Sequence, residues 1–295
     1  MSAALDTPIP TRHDASDHAG LRDAATVNTL RVTFPRVVRS EWYKFASLRS
    51  SWITLAVAVV VLIGFGVLAA LVTTGDVTPS GPNGQPGPGP GGFSTDPTSL
   101  SLSGAMLAQI VLGILGVLLV SGEYSSGMIR ATLAAVPHRL PVLWAKALVI
   151  GVVSLLVSAA AALAAFLAAQ QILGDGANAS LTDHGVLRAV LGSGGYLAGV
   201  ALLGVALGAL LRHAAGAIGA LFGLLLLAPA LLGAILPSSW KDAVVPYLPS
   251  NAASSFTSVV PPHGMLSATA GAAVLAGWVV ILLAAAAVLL RRRDA

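Results

Sequence analysis

The residues of this chain that could do chemistry are few, and most sit at the ends of apolar segments. There is no cysteine, which excludes disulfides, thiolate metal sites and cysteine catalysis. The six histidines are scattered through the tail and loops without metal-ligand spacing. The three lysines follow Tyr43, Ala145 and Trp240, so none stands in the Gly-Lys-Ser/Thr setting of a phosphate-binding loop. The apolar runs contain no clearly central Asp, Glu, Lys, Arg or His. Proton- and ion-coupled carriers usually place such groups near the bilayer midplane, so that class is disfavoured, as is acid–base catalysis inside a membrane. What remains is charge at segment boundaries: Glu41 with Lys44, and Glu123 followed by Arg130.

The elements that must position these charges are set by composition. The chain has 295 residues, of which 56% are hydrophobic and only 9% charged, with a mean hydropathy of +0.85. Soluble domains carry about 25% charged residues, so the composition argues against an ordinary soluble enzyme and against a disordered chain. Long runs of Ala, Leu, Val and Gly point to helical spans rather than the alternating strands of a barrel. Six runs reach the length of about 20 residues that a bilayer requires: Trp52–Thr73, Leu102–Ser121, Val142–Ala169, Ala189–Leu211, Ala214–Leu236 and Ala268–Leu290. The fourth and fifth are separated only by Arg212 and His213, which predicts a tight helical hairpin. The third is long enough to tilt or to extend past the bilayer. The first 51 residues have no continuous apolar stretch, so no cleavable signal peptide is expected and the first span serves as the insertion signal.

Charge fixes the orientation. Fourteen of the sixteen Lys and Arg residues fall on one side of a six-span arrangement, and only Arg188 and Lys241 on the other, together with Asp76, Asp96, Asp175, Asp183 and Asp242. The basic side is cytoplasmic, so both termini are inside. The net charge of +4 is therefore a topology signal and an anionic-lipid contact rather than a nucleic-acid footprint. The predicted fold class is an all-α integral membrane protein with six transmembrane helices, N-in and C-in.

The connecting segments differ in character. Residues 1–28 read as a disordered cytoplasmic tail. The first external loop, about 75–100, contains TPSGPNGQPGPGPGG and reads as an extended tether or, less simply, a Pro-rich ligand. From Pro35 to Ser51 an amphipathic helix leads into the first span, within a segment spanning 29–51. It carries Val37, Val38, Trp42, Phe45, Leu48 and Trp52 on one face and Arg36, Arg39, Ser40, Tyr43 and Ser47 on the other. Glu41 interrupts the apolar face and needs a partner, because an unpaired buried carboxylate is costly. Lys44 is the near candidate. A local surface ion pair and a functional role both fit.

The cytoplasmic connection at about 122–142, SGEYSSGMIRATLAAVPHRLPVLWAK, allows two helical turns from Met128 to Ala135, ending before Pro137. It reads either as an ordinary polar loop or as a short docking knob. The external segment at about 237–267 has five prolines and interfacial Trp240 and Tyr247. Too apolar for a free loop and too broken for a span, it fits short helices dipping back from the outer surface. Gly195/Gly199, Gly204/Gly208 and Gly219/Gly223 are small-residue pairs at a four-residue spacing, expected to pack within the bundle, with a subunit seam as the other reading.

Three of these segments carry a resemblance. RSEWYKFASLRSSWITL, GEYSSGMIRATLAAVPHRLPVLWAKAL and PYLPSNAASSF are similar to the lead-in helix, the connection between spans two and three, and a segment before the last span in ABC-2 type permeases, the membrane subunits of ATP-binding-cassette exporters. With the six spans, the resemblance covers about residues 30–293. It implies a permease domain over 52–293, paired with a second copy or a related permease and with a separate ATP-binding-cassette ATPase. No cofactor is implied on this chain, since ATP and Mg belong to the ATPase. Carried over by position, Glu123, Tyr124, Gly127, Arg130 and Thr132 fall in the ATPase-coupling segment. Glu41 and Lys44 fall in the lead-in helix, and Tyr247, Pro249 and Asn251 in an external re-entrant region. The implied setting is the bacterial cytoplasmic membrane, with export of a hydrophobic or amphipathic compound. A membrane scaffold or sensor that moves nothing is the rival reading, and an integral-membrane enzyme a third.

Overall fold

A computed structural model describes residues 33–74, 96–128, 139–174, 178–261 and 264–292. The tail at 1–28, most of the Pro/Gly loop and the helix expected at Met128–Ala135 lie outside the described residues, apart from Met128 and the loop's last five positions. Among the described residues the fold is all-helical. In chain order the elements are α1 (Phe34–Ser47), α2 (Arg49–Thr74), α3 (Pro97–Ser101), α4 (Ala105–Ser125), α5 (Arg139–Leu173), α6 (Val186–Leu211) and α7 (Ala214–Phe222). A five-residue π-helical stretch, Gly223–Leu227, leads into α8 (Ala228–Ile235). They are followed by α9 (Ser238–Val244), a 3-10 turn at Val245–Tyr247, α10 (Pro249–Thr257) and α11 (Ala268–Arg292).

Six of these helical stretches are long and apolar enough to cross a membrane: α2, α4, α5, α6, the α7–π–α8 continuum and α11. The chain is a multi-pass membrane protein. The observed spans overlap the runs read from sequence, because run length against bilayer thickness is a property of each segment alone. Helix α5 has 35 residues, about 52 Å at 1.5 Å per residue, and so outreaches a hydrocarbon core of about 30 Å.

The fourth span is the hub. Of its most apolar window 78% is buried, against 11% for the fifth. Small residues make this possible. A Cβ on Gly116 of α4 would run into the Ala201 carbonyl of α6, and a Cβ on Gly204 would run into the Gly113 carbonyl of α4. The backbones of α4 and α6 therefore touch, as small-residue seams in membranes allow. Gly208 also faces α4, and Gly199 faces Leu275 of α11, whereas Gly195, Gly219 and Gly223 have no atom within 4 Å of a Cβ. Packing within the bundle thus accounts for Gly204/Gly208 and Gly199 but not for the pair on the fifth span.

Contacts between distant residues identify the two ends of the bundle. At one end Glu41, Glu123 and Lys146 meet. The turn between α6 and α7 joins this end through Arg212, whose guanidinium lies 5.2 Å from the Tyr124 ring centroid. The hairpin is as tight as expected, with Arg212 in the left-handed region (φ 56°) and His213 capping α7. At the other end Gln170 Nε2 donates to Ser101 Oγ (2.9 Å), while Gln170 Oε1 accepts from the Ala179 backbone (2.7 Å). Among the described residues, Lys44, Lys146 and Arg212 stand at the first end, the end to which the charge pattern of the sequence assigns the cytoplasm.

The outer end is finished by the short helices anticipated between the fifth and sixth spans. Helix α10 packs on α11 so closely that a Cβ on Gly271 would clash with Ser255 Oγ and the Ala252 carbonyl. Arg188 Nη2 donates to the Ser258 and Val259 carbonyls (2.9 and 3.2 Å) at the C-terminal end of α10. A cation there satisfies orphan carbonyls and complements the helix dipole, which accounts for one of the two basic residues on the external side.

Candidate functional site

Helix α1 begins with Pro35 in its first turn and ends at Leu48, whose extended backbone (φ −82°, ψ 105°) breaks it from α2. Trp52 bridges the break by donating from Nε1 to the Ala46 carbonyl at 3.0 Å. Val37, Glu41 and Phe45 are buried, one helical turn apart. Val37 packs with Val142 and Ala145 of α5. Trp42, Leu48 and Trp52, expected on the same face, are 42–46% exposed. The face is therefore split: one edge grips α5, and the aromatic edge is left for the membrane interface, where Trp residues favour the headgroup level.

Glu41, the residue that broke the apolar pattern, is the centre of the site. Its Oε1 receives Lys44 Nζ at 2.7 Å and its Oε2 receives Lys146 Nζ at 2.6 Å. The same two ammonium groups reach Glu123 Oε1, at 3.1 Å from Lys44 and 3.0 Å from Lys146. The four side chains form a closed ring of alternating charge. Glu41, Glu123 and Lys146 are buried, 3%, 7% and 8% exposed, and Lys44 closes the more accessible side. Charges can persist at such burial only when paired with good geometry, and here each carboxylate has two cations.

The ring joins three elements: α1, the C-terminal end of α4 and the start of α5. Burial is the largest influence on Lys44 and by itself lowers its pKa. The hydrogen bond and charge of Glu41, then the charge and hydrogen bond of Glu123, together outweigh it and hold Lys44 above its ordinary value of 10.5.

The expected partner of Glu41, Lys44, is thus one of two, and Lys146 sits closer and deeper. In sequence Lys146 served only as a topology marker. Its setting, VLWAKALVI, carried a signal nonetheless, since a lysine in the first turns of a span requires either snorkelling or a buried acid.

Tyr124 follows Glu123 and lies under Arg212. Gly127 has φ +72°, and its amide donates to the Tyr124 carbonyl at 3.3 Å, ending α4 in a left-handed turn that suits glycine. Arg130 and Thr132 lie outside the described residues. Tyr247, Pro249 and Asn251 are at the opposite end and do not meet the ring. The Tyr247 carbonyl accepts from Trp278 Nε1 (2.9 Å), Pro249 starts α10, and Asn251 Nδ2 donates to the Val245 carbonyl (3.0 Å). Each ties the external segment to itself or to α11. Within the spans, sequence reasoning also missed a buried polar pair: the Tyr196 hydroxyl donates to Gln109 Oε1, joining α6 to α4.

Beside the ring lies a cavity of about 430 Å³. A second, predominantly apolar hollow of about 640 Å³ is lined by α5, α6, α11 and Phe256 of α10, with Gly195 on its wall.

In comparisons with known proteins, no protein-family model matches this chain and no curated protein matches it significantly.

Proposed function

We propose that this chain is the permease subunit of an ATP-binding-cassette transporter of the bacterial cytoplasmic membrane, working with a second permease copy or a related one and a separate ATPase that holds ATP and Mg. The observation that carries the reading is the four-charge ring, together with where its members stand. Glu123 is at the point where the chain leaves the second span for the cytoplasmic connection, and Lys146 lies just inside the span to which it returns. Lys146 donates directly to Glu41 on the lead-in helix, and Glu123 is bridged to Glu41 through Lys44 and Lys146. A push on that connection is therefore delivered to α1, α4 and α5 together, which is the mechanical property a coupling segment needs.

In this reading the polar residues transmit force and perform no covalent chemistry. The closed ring and the packed α4–α6 seam make the cytoplasmic end a rigid unit, so motion imposed on the connection tilts whole helices. Coupling further requires that the ATPase bind the two permease conformations with different affinity. The apolar bundle suits export of a hydrophobic or amphipathic compound.

The test is gentle extraction of the tagged chain from native membranes, with identification of stoichiometric partners and assay of ATP hydrolysis. A co-purifying soluble ATPase stimulated by an amphipathic compound is the expected result. A folded six-span protein with no ATPase overturns the proposal.

A further inference from the structure

The ring is not symmetric. Glu41 uses both carboxylate oxygens, one for each lysine. Glu123 receives both lysines on Oε1, and its Oε2 is buried without a hydrogen-bond partner. An unmatched carboxylate oxygen at this depth is expensive, and an apolar side chain in place of Glu123 would avoid that cost.

Glu123 also lines the 430 Å³ cavity, together with Glu41, Lys44 and Lys146. Other parts of its wall are apolar: Leu115, Leu118 and Leu119 of α4, and Val149 and Ile150 of α5. Their positions give the cavity a direction. The leucines precede Glu123 by one to two helical turns, and Val149 and Ile150 follow Lys146 by one. In both helices this leads from the cytoplasmic end toward the membrane interior. The charged end thus lies at the inner interface and the apolar end deeper, the same sense as an amphiphile of the inner leaflet. Ser50 and Thr54 of α2 add hydroxyl groups along the wall, and Leu118, 47% exposed, stands at a side accessible from the bilayer.

We infer that this cavity binds an amphiphile with an ammonium head and an apolar tail, the head pairing with the Glu123 carboxylate, whose Oε2 has no other partner, and the tail lying along Leu115, Leu119 and Ile150. A carboxylate oxygen only accepts, and a charged N–H is its strongest partner. An anionic head would gain from Lys44 and Lys146 on the same wall but would leave Oε2 facing a like charge and still without a donor, and a neutral hydroxyl would make a weaker bond. Two sources supply the chemistry: a free long-chain amine, protonated at neutral pH as lysine is, or an aminolipid headgroup such as phosphatidylethanolamine.

The test uses the full chain in maltoside micelles and native mass spectrometry, titrating dodecylammonium, dodecanol and dodecyl sulfate. One dodecylammonium per chain is expected, at least tenfold tighter than either analogue. Glu123→Gln should remove the preference for the amine. Leu118→Trp, at an exposed position the fold tolerates, should weaken binding tenfold or more with the ring intact. Protein extracted from mixed phosphatidylethanolamine–phosphatidylcholine bilayers then reports the source: retained phosphatidylethanolamine identifies the lipid, and a site filled only by added dodecylammonium identifies the free amine. Equal binding of amine and alcohol, preference for the sulfate, or binding indifferent to Leu118→Trp overturns the inference. Because binding is read on the isolated chain, its failure leaves the ATPase pairing standing, and absence of an ATPase leaves the binding result standing.

Discussion

Lys146 Nζ lies 2.6 Å from Glu41 Oε2 although 105 residues separate them in the chain. This contact fastens an amphipathic helix outside the bundle to the start of a membrane span. Two spans lie between the residues in sequence, yet the pair is more buried than the neighbouring Lys44–Glu41 pair. Its removal should therefore be felt more strongly.

Lys146→Met leaves two carboxylates sharing one lysine. Breaking one partner of a buried ion network costs about 3–5 kcal/mol, so a loss near the lower figure is expected in a reversible unfolding assay. The double variant Glu41→Leu/Lys146→Met should recover part of that loss, because no unpaired charge is added. A double variant no more stable than Lys146→Met alone would argue against direct pairing.

Charge reversal at the coupling segment tests force transmission, with insertion read separately. Glu123→Lys places three cations around Glu41, and Arg130→Glu alters the connection itself. Both variants should insert with six spans yet lose most substrate-stimulated ATP hydrolysis in the reconstituted complex. Undiminished stimulation in both would sink the coupling role.

The pH response follows from Lys44. Its folded pKa is raised above the ordinary 10.5, so its contribution to docking is complete below that value and is lost as pH rises through the folded value. Fluorescence of Trp42 and Trp52, which flank Phe45 at 6.3 and 5.8 Å, should stay constant through the neutral range and change only under strongly alkaline conditions. Lys44→Met should abolish that alkaline change. A transition near neutral pH would contradict the assignment.

The glycines of the fourth and fifth spans should behave oppositely. Gly204→Val forces a side chain into the Gly113 carbonyl, and overpacking of this kind costs about 1–3 kcal/mol or more. Gly219→Ala meets open space inside a helix and should leave the unfolding midpoint of the chain unchanged or slightly raised. Equal effects would mean that α4 and α6 do not approach as described.

Much of this architecture is written along the chain. Each span declares itself by its own run of apolar residues, the Arg212–His213 break marks a hairpin, and the basic side identifies the cytoplasm. These properties are local: a segment of about 20 apolar residues crosses a bilayer whatever its neighbours do, and Glu41 announced a need for a partner because it interrupts a helical period. Lys44 was legible as a partner because it stands one turn from Glu41, but tertiary structure alone decided which distant partners meet. Lys146 joins Glu41 and Glu123 because α1, α4 and α5 end at the same place, a matter of helix packing that no hydropathy pattern encodes. Gly204 became a contact and Gly219 did not because α6 is central and the fifth span peripheral, although both present the same four-residue spacing. The unmatched oxygen of Glu123, on which the binding site rests, is set by how three helix ends share two lysines. Composition names the charges, and only their geometry shows which one is left wanting a partner.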